Sequence, residues 1–171
     1  MLYLSQMLGE PVIDANGEKI GSISDLAIQT GEVFPRITSL AFLGPGKTPF
    51  MISWRKYVKD VTDDGIELKV DKTGIRFSYL QPDEVLLARD LLDRQIVDTQ
   101  GMKVVRVNDL KLSTSGSQLR LLGAEVGVRG ILRGLAPWVE RVALKLSKLF
   151  RKPLDEKIIA VSYTHLTLPT K

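Results

Sequence analysis

The sequence predicts a mainly β protein built as two small barrels in tandem, the second carrying a helical insertion and ending before its sheet is complete. Three observations predict it. The 171 residues are 44% hydrophobic and include 14 Gly and 8 Pro, a composition for a packed, turn-rich domain and not for a disordered chain. Short apolar stretches alternate with Asn-Gly and Asp-Gly turns. The chain also matches itself at an offset of 84 residues, and a regular internal repeat of this kind marks a duplicated unit.

The offset lays Met7 to Ile28 (MLGEPVIDANGEKIGSISDLAI) on Leu91 to Leu112 (LLDRQIVDTQGMKVVRVNDLKL) without a gap. Leu8/Leu92, Asp14/Asp98, Gly17/Gly101, Lys19/Lys103, Asp25/Asp109 and Leu26/Leu110 are identical, and Val12/Ile96, Ile13/Val97, Ile20/Val104 and Ile23/Val107 remain apolar. In each copy a short strand runs into Asp-x-Asn/Gln-Gly. There the Asp side chain caps the turn and Gly supplies the positive φ of a tight hairpin. The strand that follows changes its apolar phase between Ile23 and Leu26, and between Val107 and Leu110. A bulge or bend is expected near Asp25 and Asp109. These make Asp14, Gly17, Asp25, Asp98, Gly101 and Asp109 the repeat's turn-and-bend motif.

Copy one continues with a strand over Phe34–Leu43, a loop at Gly44–Thr48, a strand alternating through Phe50, Ile52 and Trp54, and strands Val58–Val61 and Ile66–Val70 around Asp63-Asp64-Gly65. Some six short strands fit a small barrel, assigned to residues 1–78. Pro82, Asp83 and Glu84 read as the first turn of a helix packed through Val85, Leu86, Ala88, Leu91 and Leu92, so a linking helix is expected over 79–93. The second repeat spans 94–160. Beyond its strand Leu119–Val126, the apolar spacing of Val128, Ile131, Leu132 and Leu135, then of Val139, Val142, Leu146 and Leu149, predicts two amphipathic helices over about 128–150.

Charge is uneven. Residues 1–100 carry a net charge of −4 and residues 101–152 a net charge of +8. A basic half of this size favours an anionic neighbour. Arg129, Arg133, Arg141, Lys145, Lys148, Arg151 and Lys152 lie on or beside the expected helices. Two readings stand side by side: a contact with an acidic protein or an anionic membrane surface, and a solvated outer face on helices that cover the second barrel. Nucleic acid is less favoured, because no aromatic platform accompanies the cations.

Several motifs resolve to turn chemistry. Ala41 to Thr48 satisfies a loose phosphate-loop pattern, but Pro45 removes a backbone donor and a strand follows where a helix is needed. Asp14-Ala15-Asn16-Gly17 resembles the start of a calcium loop with its Gly misplaced and no Glu at the twelfth position. Asp60, Asp63 and Asp64 read as an exposed hairpin rather than a cation site. With no Cys and one His, thiolate zinc sites and Cys nucleophiles are excluded. Asp25 and Asp109 lack the second titratable group that acid–base catalysis needs and are expected to accept backbone N–H bonds. The expectation is a non-enzymatic protein with no metal and no cofactor. The N-terminus lacks the pattern of a signal peptide, and no uncharged run reaches about 18 residues. A soluble, cytoplasmic chain is expected.

The stretch PVIDANGEKIGSISDL resembles the opening hairpin of a PRC-barrel domain, the small barrel found in the photosynthetic reaction-centre H subunit and in ribosome maturation factors of the RimM type. The arrangement in which LARDLLDRQIVDTQGMKVVRVNDLKL follows a first barrel, with LRLLGAEVGVRGILRGL after it, resembles the duplicated PRC-barrel region that precedes the intracellular and CBS domains of MgtE-type magnesium-transporter-like proteins. The resemblance implies a regulatory or interaction module at the cytoplasmic side of a membrane protein, its partners being downstream domains of the natural chain. The alternative it implies is a ribosome-assembly or RNA-processing adaptor. Residues 161–171, VSYTHLTLPTK, resemble translated sequencing adapter; the natural chain is then expected to break after Ala160, inside the second barrel.

Overall fold

In a computed structural model, residues 2–98, 103–126 and 131–133 are described. Asp14 organises the first hairpin, whose strands are β2 (Pro11–Ile13) and β3 (Lys19–Gln29). Its carboxylate accepts the N–H groups of Asn16 and Glu18 at 3.0 and 2.9 Å. Gly17 then turns the chain at φ +79°, a conformation that costs glycine little. The upstream segment forms β1 (Leu2–Tyr3) and a single helical turn, α1 (Leu4–Met7).

β3 is long and changes character at its bend. Its pairing with β4 (Ile37–Leu43) slips between Ile23 and Asp25 and again between Ala27 and Ile28. Beyond the bend Leu26, Ala27 and Ile28 are all fully buried. Continuous burial means that both faces of the strand are covered there. β4 returns through a Gly44–Thr48 loop into β5 (Pro49–Ser53). The residues of the loose phosphate-loop pattern thus form a hairpin connection, pinned by Gly44 N–H to Thr48 O at 2.8 Å.

β5 stops at Ser53, one residue short of the alternation through Trp54. Ser53 caps the helical turn α2 (Trp54–Tyr57) by accepting the Lys56 N–H. β6 (Val58–Thr62) and β7 (Gly65–Leu68) follow as a hairpin, and β7 lies parallel to β2. The ladder runs β5-β4-β3-β2-β7-β6. It is mainly β, but its hydrogen bonds do not close into a barrel. The two end strands β5 and β6 are joined by the α2 turn and are not paired with each other.

The helix expected over 79–93 is not formed. β8 (Glu84–Leu86) adds to β3, and Leu87–Leu91 make one π-turn. Pairing to the open side of β3, which buries Val85 and Leu86, overrides the helical spacing of these residues. The second unit contains the ribbon β9 (Gln95–Asp98) and β10 (Lys103–Arg106), then β11 (Asp109–Ser115), β12 (Gln118–Glu125) and β13 (Ile131–Arg133). β1, β11, β12 and β13 form one sheet in that order. Residues 131–133 are therefore strand, paired to Gly123–Glu125, where helix was expected; an antiparallel partner for β12 decides their conformation. The remainder of the expected helical insertion and the adapter-like tail 161–171 lie outside the described residues.

One hydrophobic core runs through both units, from Leu4, Leu26 and Leu40 to Leu110, Leu112 and Leu121. Each fully buried leucine stabilises the fold by roughly 1.5–3 kcal/mol relative to exposure. Among the described residues no helix is long and apolar enough to cross a membrane.

Candidate interaction site

Where the first unit's β4 and α2 face the β11–β12 hairpin of the second, they leave an open cleft of about 670 Å3. Arg36, Arg55 and Lys69 contribute cations to its wall, and Thr38, Trp54 and Ser117 line it. The Trp54 ring is buried and donates its Nε1–H to the Ser117 carbonyl at 2.9 Å. This bond joins the helical turn of one unit to the hairpin of the other. Glu32 bridges the mouth, accepting from Arg36 and from Arg120 at 3.1 Å each. Partial desolvation pushes the Glu32 carboxyl up, but the hydrogen bonds from Arg120 and Arg36 and the charges of both guanidinium groups together outweigh it and hold the carboxyl below its ordinary range. Arg120 also donates to the Phe34 carbonyl at 3.0 Å. The result is a cation-rich, polar, open surface suited to a carboxylate-bearing partner.

The bend aspartates lie elsewhere. Asp25 is buried and accepts three backbone N–H groups: Leu26 at 2.8 Å, Ala88 at 2.7 Å and Arg89 at 3.0 Å. Burial pushes its carboxyl up, the three N–H bonds pull it back, and the nearby Asp90 adds to the rise. Asp90 is itself buried, bonded to the Leu86 N–H at 3.0 Å and to the Arg89 guanidinium at 2.8 Å. That pairing raises Arg89 further above its already high ordinary value. All four carboxylate oxygens of Asp25 and Asp90 are engaged by internal donors, so this is a clasp holding the π-turn. Asp109 accepts the N–H of Leu110 at 2.8 Å, the N–H of Ser5 at 3.1 Å and the Ser5 hydroxyl.

Asp14 reaches beyond its own turn to the Lys72 N–H at 3.2 Å. Asp98 ends β9 opposite Lys103, and Gly101 lies outside the described residues. Of the basic set, Arg133 is in β13, while Arg129, Arg141, Lys145, Lys148, Arg151 and Lys152 lie outside the described residues. Asp60, Asp63 and Asp64 occupy β6 and its turn, and among the described residues no three metal-ligating side chains converge. Sequence reasoning missed Trp54, Glu32, Asp90 and the Arg36–Arg120 pair as site residues. The last had a signal: Arg36 and Arg120 are 84 positions apart and identical, just past the point where the aligned repeat was ended.

An N-terminal β unit of this form finds its counterpart among known families. Residues 1–75 match the model of the PRC-barrel domain. No curated protein matches the chain.

Proposed function

We propose that the protein is a non-enzymatic regulatory or protein-interaction module of a magnesium-transporter-like protein, acting at the cytoplasmic face of the membrane on neighbouring domains of the natural chain. The PRC-barrel match over residues 1–75 supports the interaction role. The observation that carries it is the cleft: Arg36, Arg55 and Lys69 surround a polar hollow open to solvent, which fits an acidic protein segment better than an apolar one. The expected basic set from Arg129 to Lys152 extends the same charge preference, with an anionic membrane surface as the second partner of this chemistry.

The test is binding of the purified chain to the isolated intracellular domain of an MgtE-type transporter, followed by calorimetry. A variant with Arg36, Arg55 and Lys69 all changed to Gln is expected to bind at least tenfold more weakly. No binding of the unaltered chain, or equal binding by the variant, overturns the proposal. The net charge of +8 over residues 101–152 favours a second reading, an RNA or ribosome-assembly adaptor of the RimM type. That reading requires binding to ribosomal RNA or protein that weakens steeply between 50 and 200 mM salt, as counterion release dictates.

A further inference from the structure

The offset of 84 persists in the backbone hydrogen bonds. Gly9 donates to Ile23 O at 2.8 Å and Asp93 to Val107 O at 2.8 Å; Ile23 donates to Glu10 O at 2.8 Å and Val107 to Arg94 O at 2.9 Å. The donors Gly9 and Asp93 are both left-handed, at φ +88° and +61°. Asp25 pairs with Ala41 as Asp109 pairs with Glu125, and Ile28 pairs with Ile37 as Leu112 pairs with Leu121. The register slips at the same place in each, after Ala27 and after Lys111. β12 and β13 continue the match to β4 and β5 through a connection four residues shorter.

The opening segments, by contrast, are crossed. β1 pairs with β11 of the second unit, and β8, the corresponding strand of the second unit, pairs with β3 of the first. Asp109 takes the N–H of Ser5, and Asp25 takes the N–H of Arg89. Ser5 and Arg89 are again 84 apart. The match breaks at two other places: β2 and β3 slip between Val12 and Ile13 where β9 and β10 do not, and the turns after the opening strands differ by one residue. α1 closes with Leu8 N–H to Leu4 O, whereas the π-turn closes with Leu92 N–H to Leu87 O and so holds one residue more. Leu2 accordingly faces Leu112, while Leu86 faces Ala27, one residue short of Ile28. Finally, Arg36 and Arg120 form a β-bridge with each other. A residue meets its own counterpart only at a two-fold axis.

We infer that the chain is a segment-exchanged pair of equivalent units related by a pseudo-two-fold axis at Arg36 and Arg120, so that the bend aspartate and adjoining strand of each unit form a docking site for the opening strand and turn of a second copy of that unit. The inference does not rest on the transporter reading. It makes the family match over residues 1–75 an incomplete structural unit: β8, which covers β3, and two of the donors to Asp25 lie beyond it.

Hydrogen–deuterium exchange on the full chain tests the crossing. Asp109→Ala removes the acceptor of Ser5 and is expected to speed exchange of the amides at 3–5 by about tenfold or more, with those at 86–89 unchanged, since a bond to a charged acceptor is worth at least that factor. Asp25→Ala is expected to do the reverse. Asp109→Asn and Asp25→Asn give the same crossed pattern at smaller amplitude if the alanine variants do not fold. Loosening of the opening segment in the mutated unit itself, or of neither, overturns the proposal. Independently, the chain has no native cysteine, and antiparallel bridge partners lie within disulfide reach. Arg36→Cys with Arg120→Cys is therefore expected to oxidise to an intramolecular bridge at monomer mass. Cross-linking only between chains, or none in a folded protein, also overturns it.

Discussion

Replacing Gly65 with alanine tests whether β2 and β7 are held as closely as their pairing implies. Gly65 opens β7 at φ +131°, and a Cβ there would lie 2.1 Å from the Pro11 carbonyl oxygen and 3.0 Å from its carbon. A non-glycine residue in that part of the backbone map costs about 1–3 kcal/mol. Forcing a methyl group against backbone adds about 1–3 kcal/mol, because relief requires moving Pro11 and with it the neighbouring Val12–Ile66 pair. The expected loss is about 2–6 kcal/mol, a large part of the roughly 5–15 kcal/mol that holds a domain folded. At about 2–4 °C per kcal/mol for a chain of this size, the melting temperature falls by about 4–24 °C. Gly116→Ala is the control. Its φ is +63° and nothing lies within 4 Å of the added Cβ, so only the left-handed cost of about 1–2 kcal/mol applies. Thermal melts and urea titrations by circular dichroism compare the two. If Gly65→Ala loses no more than Gly116→Ala, the close approach of β7 to Pro11 is wrong.

Asp25→Asn sets an amide NH2 against backbone N–H donors and is expected to destabilise by about 1–3 kcal/mol. The folded protein holds the Asp25 proton above the ordinary value of 3.8. The native state therefore binds more protons than the unfolded chain in that window, and this group's contribution declines as pH rises through it. Urea titrations from pH 3 to 7 should show the gap between wild type and Asp25→Asn widest at the acid end. Trp54→Phe removes the Nε1–H bond to Ser117 and part of a buried ring, for a loss of about 1–3 kcal/mol measured by thermal melting. Glu32→Gln breaks two exposed ion pairs and costs less than about 1 kcal/mol, a difference that 1 M salt should erase.

The parts legible in the sequence were those fixed by near neighbours. Asp14 to Gly17 form a turn because a short carboxylate and a glycine three residues apart can do little else, and the phase change at Asp25 registers a bulge that the strand itself carries. The segment from Pro82 to Leu92 does not show its strand locally because Val85, Leu86, Ala88, Leu91 and Leu92 are spaced like a helix face, and nothing local reveals that β3 lies open beside them. The same holds for Ile131–Arg133 beside β12. The cleft was hidden for a related reason: Trp54 and Ser117, or Glu32 and Arg120, meet only after both units have folded. A period of 84 announces copies but not whether each keeps or lends its first strand.

That loan has a cost in solution behaviour. While seated, β1 and β8 shield the outer backbone of β11 and β3 from other chains. When a seated segment lifts away, rows of unsatisfied amides and carbonyls face the solvent, beside apolar residues such as Leu112 and Ile28, and any extended peptide can add to them. Substitutions at Ser5, Asp25 and Asp109 should therefore promote clumping well below the temperature at which the core melts.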